Sequence, residues 1–335
     1  MTKVSGEGVP PHQVSIVIPV YQGEQTLEGL LEEIDSLRAV SLSPGGRAFR
    51  VHEVVLVHDH GPDRSAEVIR RLAAKYDYVF PVWLSRNYGQ HPATLAGMAS
   101  SGGEWIATID EDGQHNPVDI ANLLDVAMDE QAAVVYADPQ NPAPHGPLRN
   151  ASSKGAKWLL SRVFAGAQST TYQSFRLILG DVGRSVAAYA GSGVYLDVAL
   201  SWVAGKPAQA PTMLRSEGRR SGYSYRRLFS HFWRMVVSSG TRGLRLVSFL
   251  GVVFAIFGIG IAIWVLISRF GGHAVPEGWA STVMIVLLSS GATLFALGVI
   301  AEYIGVAVNM AMGKPPYLIV GDSADGPLGR DALRR

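Results

Sequence analysis

Five short apolar runs, separated by stretches with helical spacing, occupy residues 14–138: VSIVIPVY (14–21), VHEVVLVHD (51–59), VFPVWLSRN (79–87), EWIATID (104–110) and AAVVYAD (132–138). Their length and β-branched content are those of buried strands. Between the first two, residues 24–40 place Leu27, Leu30, Leu31, Ile34 and Leu37 on one helical face. Residues 64–76, 91–101 and 116–130 repeat that pattern. Strand–helix alternation of this kind predicts right-handed crossovers and an α/β fold with a mainly parallel sheet covered on both faces. SLSPGGRAFR (41–50) reads as a loop, 139–155 as loop-rich, 156–166 as helical, and 171–191 as a strand followed by a helix.

Ligands of such sheets bind beyond the carboxyl ends of the strands. The residues there are Pro19, Tyr21 and Glu24, then Asp59 and Asp63, then Arg86 and Asn87, then Asp110 and Asp112. No GxGxxG or Walker pattern stands at a strand end, which disfavours a dinucleotide fold and a P-loop ATPase. The fourth run ends in three consecutive acids, Asp110, Glu111 and Asp112. If the backbone stays extended there, Asp110 and Asp112 share a side and Glu111 turns away as a bystander. Two carboxylates on one side suit Mg²⁺ or Mn²⁺, with substrate phosphates and water completing the shell. A lone DxD is also common on solvated loops, so its weight comes from the strand end and the acids of the neighbouring strand.

Net charge is +1, which gives no argument for nucleic acid, and there are no cysteines. Disulfides, thiolate catalysis and cysteine-ligated zinc are therefore excluded. Residues 1–13 lack the apolar core of a signal peptide and are expected to be disordered. Residues 246–268 carry no charge, and residues 281–308 carry only Glu302. Each run is long enough to cross a hydrocarbon core of about 30 Å, and the short linker between them predicts a hairpin. Arg226, Arg227, Arg234, Arg242 and Arg245 precede the first run and Lys314 follows the second. The positive-inside rule then keeps both termini in the cytoplasm. Aromatic and basic residues interleave over 223–245, as in a helix lying on an anionic leaflet. The expected organisation is a cytosolic domain over 14–222, interfacial helices over 223–245, a two-span hairpin over 246–308 and a cytosolic tail over 309–335. Gly251, Gly258 and Gly260 offer close-packing positions for a homo-oligomer.

Taken in order, SIVIPVY, VLVHDHGPDRS, LSRNYGQHPATLAGM, TIDEDGQHNP, SFRL, RRSGYS, the two apolar runs and EYIG…GKPPYLIV resemble a family 2 glycosyltransferase of the GT-A fold. More narrowly, they resemble the membrane-anchored polyprenyl-phosphate glycosyltransferases, a group that includes dolichol-phosphate mannose synthases and bacterial undecaprenyl-phosphate sugar transferases. The resemblance spans about residues 14–320. It implies that Asp110 and Asp112 are the metal-binding pair on a donor diphosphate, with Gln114 in the same loop. It implies that Asp59 and Asp63 are acids of the nucleotide-binding DDGS motif, and that Pro19, Tyr21 and Glu24 form the first nucleotide-binding loop. Arg176 matches the arginine of SFRL. Arg219, Arg220, Ser221 and Tyr223 match a segment that closes over donor and acceptor phosphate.

Two departures matter. His58 stands where the motif has its first acid, and His60 and Gly61 replace its glycine and serine. TYQSFRL has no carboxylate before Arg176, where some members of the family it resembles carry an acid, often assigned as a catalytic base. A hydroxyl acceptor needs a general base, whereas a phosphate monoester is already about −1.5 to −2 at pH 7 and needs only charge compensation. Arg176, Arg219 or Arg220 could provide it. The expected activity is thus inverting, metal-dependent hexosyl transfer from a nucleotide sugar to an undecaprenyl or decaprenyl phosphate at the plasma membrane. Alternatives are transfer to a glycan or glycolipid hydroxyl, and a silent nucleotide-sugar-binding scaffold. Arg176 has a bland reading as well, as an ion-pair partner of Asp181 or Asp197.

Overall fold

The computed structural model describes residues 10–141, 173–215 and 278–326, together with Ile256, Gly260, Ile263 and Ile267. Arg219, Arg220, Ser221 and Tyr223, the helix expected over 156–166, the 223–245 segment and most of the first apolar run lie outside the described residues. The chain divides into two compact units, Met1–Gly222 with Pro315–Arg335, and Tyr223–Lys314.

Among the described residues, the first unit is built on one nine-stranded sheet. Its strands are β1 (His12–Val20), β2 (Ser41–Leu42), β3 (Ala48–His58), β4 (Val79–Leu84), β5 (Trp105–Thr108), β6 (Val134–Pro139), β7 (Arg176–Leu179), β8 (Ala208–Thr212) and β9 (Ile319–Val320). The helices are α1 (Leu27–Asp35), α2 (Ser65–Lys75), α3 (Gln90–Ala99), α4 (Ile120–Asp129), α5 (Gly180–Tyr189) and α6 (Leu196–Val203). Strand order is β8-β6-β7-β5-β1-β3-β4-β9, with β2 paired to β3.

Strand periodicity sorts the core into two layers. Ile16, Ile18, Val54 and Leu56 pack with Leu27, Leu31 and Ile34 of α1, Ile69 and Leu72 of α2 and Leu123 and Leu124 of α4. Val17, Val55 and Val57 point the other way, onto Leu95, Ala96 and Met98 of α3 and Leu196 and Leu200 of α6. Both faces are covered, so the central strands read as unbroken apolar runs rather than alternating ones.

The expectation of a mainly parallel sheet is corrected to a mixed one. β5, β1, β3 and β4 run parallel, but β7 lies antiparallel between β5 and β6. A helical crossover joins parallel strands, and the antiparallel pairing of β7 with both its neighbours breaks that pattern. β7 falls in the strand expected within 171–191, whereas two other strands escape sequence patterning. β8 contains Pro211, tolerated because β8 is an edge strand. β9, from the tail, adds antiparallel to the β4 edge, with Trp83 opposite Val320. The segment read as a loop over 41–50 is a hairpin of β2 and β3. Asp125 of α4 holds its turn, accepting from Ser43 Oγ at 2.5 Å, Gly45 N at 2.7 Å and Arg47 at 2.8 Å. The first strand also begins at His12, inside the stretch expected to be disordered.

In the second unit, α7 (Trp279–Ala311) contains Leu288–Ala311, 24 residues of mean hydropathy 1.8 with 6% buried. At about 1.5 Å per residue that stretch is long enough to cross a membrane. Ile256, Ile263 and Ile267 of the first apolar run are helical and exposed.

Candidate active site

Three strand-tip connections converge at the carboxyl ends of β1, β3 and β5. The turn after β1 is tied down amide by amide. Tyr21 N and Gln22 N donate to Glu111 Oε2 and Oε1 at 2.8 and 2.9 Å. Gly23 N donates to Ser65 Oγ at 2.9 Å, and Glu24 N to Asp63 Oδ2 at 3.1 Å. Glu24 turns its own carboxylate to Arg64 at 3.0 Å. Tyr21 itself is 42% exposed. Burial works to raise Asp63, but hydrogen bonds from the Ser65 hydroxyl and the Glu24 amide prevail and leave it below the usual carboxylate range. Gly61 is required here because a Cβ would stand 1.6 Å from the Tyr21 carbonyl oxygen. His60 takes the left-handed conformation, with φ +52°, where the motif it resembles has glycine.

Asp59 faces inward and is buried. Its two oxygens accept from Tyr88 N at 2.7 Å and Gly89 N at 2.8 Å, at the start of α3. Burial raises its pKa against the pull of those two amides. The carboxylate thus fixes the loop 85–89 and sits at the positive end of a helix. His58, on the opposite face, is buried against Trp83 at 5.3 Å between ring centroids.

The acidic loop departs from the extended form assumed for it. β5 stops at Thr108 and residues 111–112 turn. Asp112 Oδ1 accepts from Gln114 N at 3.1 Å, and Gln114 O accepts from Arg215 N at 2.9 Å. The geometry of Asp110 and Asp112 therefore comes from a turn and not from strand alternation. Glu111 does turn away from that pair, but it is no bystander, since it holds the β1 turn. Burial pushes Glu111 up to about 7 in spite of the Gln22 and Tyr21 amides, with Asp63 and Asp110 adding to the rise.

Asp110 is held on both oxygens. Gln90 Nε2 donates to Oδ1 at 2.5 Å and Ser174 Oγ to Oδ2 at 2.6 Å. The antiparallel register explains the second contact: Arg176 lies opposite Thr108, so Ser174 falls beside Asp110. Thr108 Oγ1 donates to the Ser174 carbonyl at 2.5 Å, and Arg176 Nε donates to it at 3.3 Å. Arg176 is 2% exposed and pairs with Asp197, which also accepts from Tyr136 OH at 3.0 Å. Burial opposes its charge, but Asp197 together with Tyr136, Asp110 and Tyr195 outweighs it and keeps the guanidinium protonated. Of the places open to Arg176 in the sequence, the rim or an ion pair with Asp181 or Asp197, the geometry shows the pair with Asp197, while Asp181 pairs with Arg184. Pro19 is the penultimate residue of β1, in register with Val57.

The donor chemistry fits a hard divalent cation. An ionised carboxylate has about four lone-pair sites, so Asp110 keeps acceptor capacity beyond Gln90 and Ser174. Among the described residues no group of three or more His, Cys, Asp or Glu is placed to hold a metal. Two carboxylates are what Mg²⁺ takes from a protein when substrate phosphates supply other ligands.

Gln90, Ser174, Thr108, Glu111 and Asp197 were not picked out as site residues from sequence. Gln90 and Ser174 do fall inside two of the segments that carry the resemblance, NYGQHPATLAGM and SFRL.

The profile of glycosyl transferase family 2 matches residues 15–181. Undecaprenyl-phosphate 4-deoxy-4-formamido-L-arabinose transferase of Klebsiella pneumoniae is 30% identical over 325 residues, covering 92% of this chain and 93% of that protein. The protein of the same name from Photorhabdus laumondii is 27% identical, covering 93% and 95%. The chain belongs to glycosyl transferase family 2. Among solved structures, glucosyl-3-phosphoglycerate synthase from Mycobacterium tuberculosis, crystallised with Mn²⁺, uridine-diphosphate-glucose and phosphoglyceric acid, aligns with a TM-score of 0.50. It is 16% identical, and the match covers 69% of this chain and 79% of that one. This likeness identifies the sheet as a GT-A fold.

Proposed function

We propose that the chain is an inverting, metal-dependent glycosyltransferase that moves a sugar from a nucleotide-sugar donor to a polyprenyl phosphate. The relatives named for undecaprenyl-phosphate transfer support the acceptor class. The observation that carries the reading is the employment of the carboxylates around the site. Asp110 is held by Gln90 and Ser174, Asp59 by Tyr88 and Gly89, Glu111 by Tyr21 and Gln22, Asp197 by Arg176, and Glu24 by Arg64. Asp112, beside the cation position, accepts from Gln114 N, so among the described residues none of these acids is set aside to take a proton from a hydroxyl. A phosphate acceptor has no such requirement.

In this reading an acceptor phosphate oxygen attacks the anomeric carbon as the bond to the leaving diphosphate breaks, inverting the centre. No proton has to be removed. Asp110 and Asp112 would hold Mg²⁺ or Mn²⁺, which supplies charge neutralisation for the departing diphosphate. Pro19, Tyr21, Glu24 and Asp63 shape the nucleotide end, with Asp59 supporting it through loop 85–89, and Gln114 braces the Asp112 turn. Arg219 and Arg220 compensate the acceptor phosphate, with Ser221 and Tyr223 in the closing segment. Arg176 acts at a remove, by fixing Ser174 and so Asp110.

The membrane arrangement belongs to the same reading. An interfacial segment over 223–245 and a two-span hairpin over 246–308 would anchor the catalytic unit on the cytoplasmic face of the plasma membrane, near a lipid acceptor. The exposed apolar helix α7 supports it.

The test uses the full chain in detergent with Mn²⁺ or Mg²⁺, a panel of labelled nucleotide sugars and undecaprenyl phosphate. The expected result is labelled sugar in the organic phase with one donor. No lipid product with any donor, or product only on a glycan hydroxyl, would sink the reading.

A further inference from the structure

Glu111 joins two loops that are far apart in sequence. Its oxygens take the amides of Tyr21 and Gln22, at the tip of β1, while its neighbours Asp110 and Asp112 form the acidic pair at the tip of β5. Ser65 and Asp63 take the next two amides, those of Gly23 and Glu24. Four successive backbone donors are thus claimed by side chains, two from each flanking connection. Consecutive amides of this kind ordinarily make a nest for an external anion. Here the Glu111 carboxyl takes that place, so the turn offers a ligand its side chains and carbonyls instead. There is little slack in the arrangement. A Cβ at Gly23 would lie 3.0 Å from Glu111 Oε2 and 2.8 Å from Leu27 Cγ. On the other side, Gly61 abuts the Tyr21 carbonyl.

We infer that Glu111 is a positioning residue for the donor: it sets the separation between Tyr21 and the Asp110–Asp112 pair, so that both ends of a nucleoside diphosphate and its cation meet a site already in place. The inference rests on the donor half of the proposed function. A carboxylate offers each amide its own oxygen. Glutamine turns one of these acceptors into a donor that faces an N–H. Aspartate is one methylene shorter and reaches the amides less fully. Loss of such pre-organisation weakens binding without altering the reacting groups.

The test compares wild type, E111Q and E111D, each as the full chain in detergent. The dissociation constants of UDP, GDP, ADP and CDP are measured by calorimetry with Mn²⁺. Donor KM, kcat and the melting temperature are measured alongside. For the nucleotide that wild type binds best, E111Q should raise the dissociation constant and donor KM about tenfold, the scale of one hydrogen bond to a charged group. Its kcat should stay within about twofold, and E111D should fall between E111Q and wild type. Unchanged affinity and KM in E111Q would overturn the inference. So would a kcat that falls with the melting temperature while KM stays put, the mark of a mere strut. If E111Q does not fold, E111D decides on the same two criteria. Wild type that binds a nucleotide yet makes no lipid product removes the acceptor reading and leaves the binding arm to decide this one. Wild type that binds none of the four removes both.

Discussion

Ser174 donates its hydroxyl to Asp110 Oδ2 at 2.6 Å, and through its carbonyl it is tied to Thr108 and Arg176. The contact links a buried ion pair to an acid at the sheet rim. Ser174→Ala removes one of the two donors that orient Asp110 and leaves the core intact. The concentration of Mn²⁺ needed for half-maximal activity should rise about tenfold, with an unchanged melting temperature. A metal titration of the variant that overlays wild type would deny Ser174 this role.

Asp112→Asn tests the cation pair more directly. The amide keeps the shape and the acceptor for Gln114 N, but loses the charge that a divalent ion requires. Turnover should fall below detection at any Mg²⁺ or Mn²⁺ concentration while the fold persists. Near-normal activity in the variant would remove Asp112 from the metal site.

What could be read from the chain, and what could not, follows from the range of the interactions. β1 and β3 to β6 announce themselves because most of their residues are buried on both faces, which demands unbroken apolar runs. β7 and the helix after it are legible in residues 171–191, but the direction of β7 is not, and β8 and β9 are five and two residues long, with pairing set by neighbours remote in sequence. Asp110 and Asp112 stand out as a motif. Ser174 and Gln90 do not, because their contact with Asp110 needs the register of Thr108 against Arg176 and the entry of α3. Glu111 was misread for a local reason: the strand period was carried past Thr108, where the chain already turns. Arg176 was open to two readings because burial is a tertiary property, and only packing brings Asp197 to it.

Arg176 and Asp197 are both almost fully buried, 2% and 3% exposed. Breaking such a pair leaves a charge without compensation, which costs about 3–5 kcal/mol. Asp197→Asn should therefore lower stability by that order in denaturant titrations. The double change Arg176→Met with Asp197→Leu should regain most of it, since an apolar pair of similar volume removes both charges. Activity should not return with stability, because Ser174 then lacks the Arg176 bond. Recovery of both together would reduce the pair to packing alone.

Gly61→Ala tests the close approach at the β1 turn. The added methyl would overlap the Tyr21 carbonyl, at 1.6 Å, so the backbone has to shift. Donor KM should rise by at least tenfold, with a loss of stability of about 1–3 kcal/mol. His60→Gly, one residue earlier, should be far milder, since glycine adopts the left-handed conformation there without strain. It gives up the ring contact with the Leu84 carbonyl at 3.0 Å and the packing of the ring against His58. Equal effects at the two positions would count against a steric cause.

His58 makes stability depend on pH. Burial, with His60 and Arg70 nearby, lowers its pKa from 6.5 to about 4, although Asp63 and Asp322 pull the other way. Its Nε2 is buried without a hydrogen-bond partner. Between those two pKa values the unfolded chain takes up a proton that the folded chain refuses, so acid favours unfolding. The contribution is present in full above pH 6.5 and is lost as pH falls toward 4. At pH 5 the penalty is on the order of 1–2 kcal/mol, a drop of about 2–6 °C in melting temperature. Other groups titrate in the same range, so the measurement is the difference between wild type and His58→Phe, followed by thermal melts from pH 7.5 to 4.5. The wild-type curve should fall more steeply below pH 6.5, and parallel curves would show that His58 is protonated in the fold at no cost.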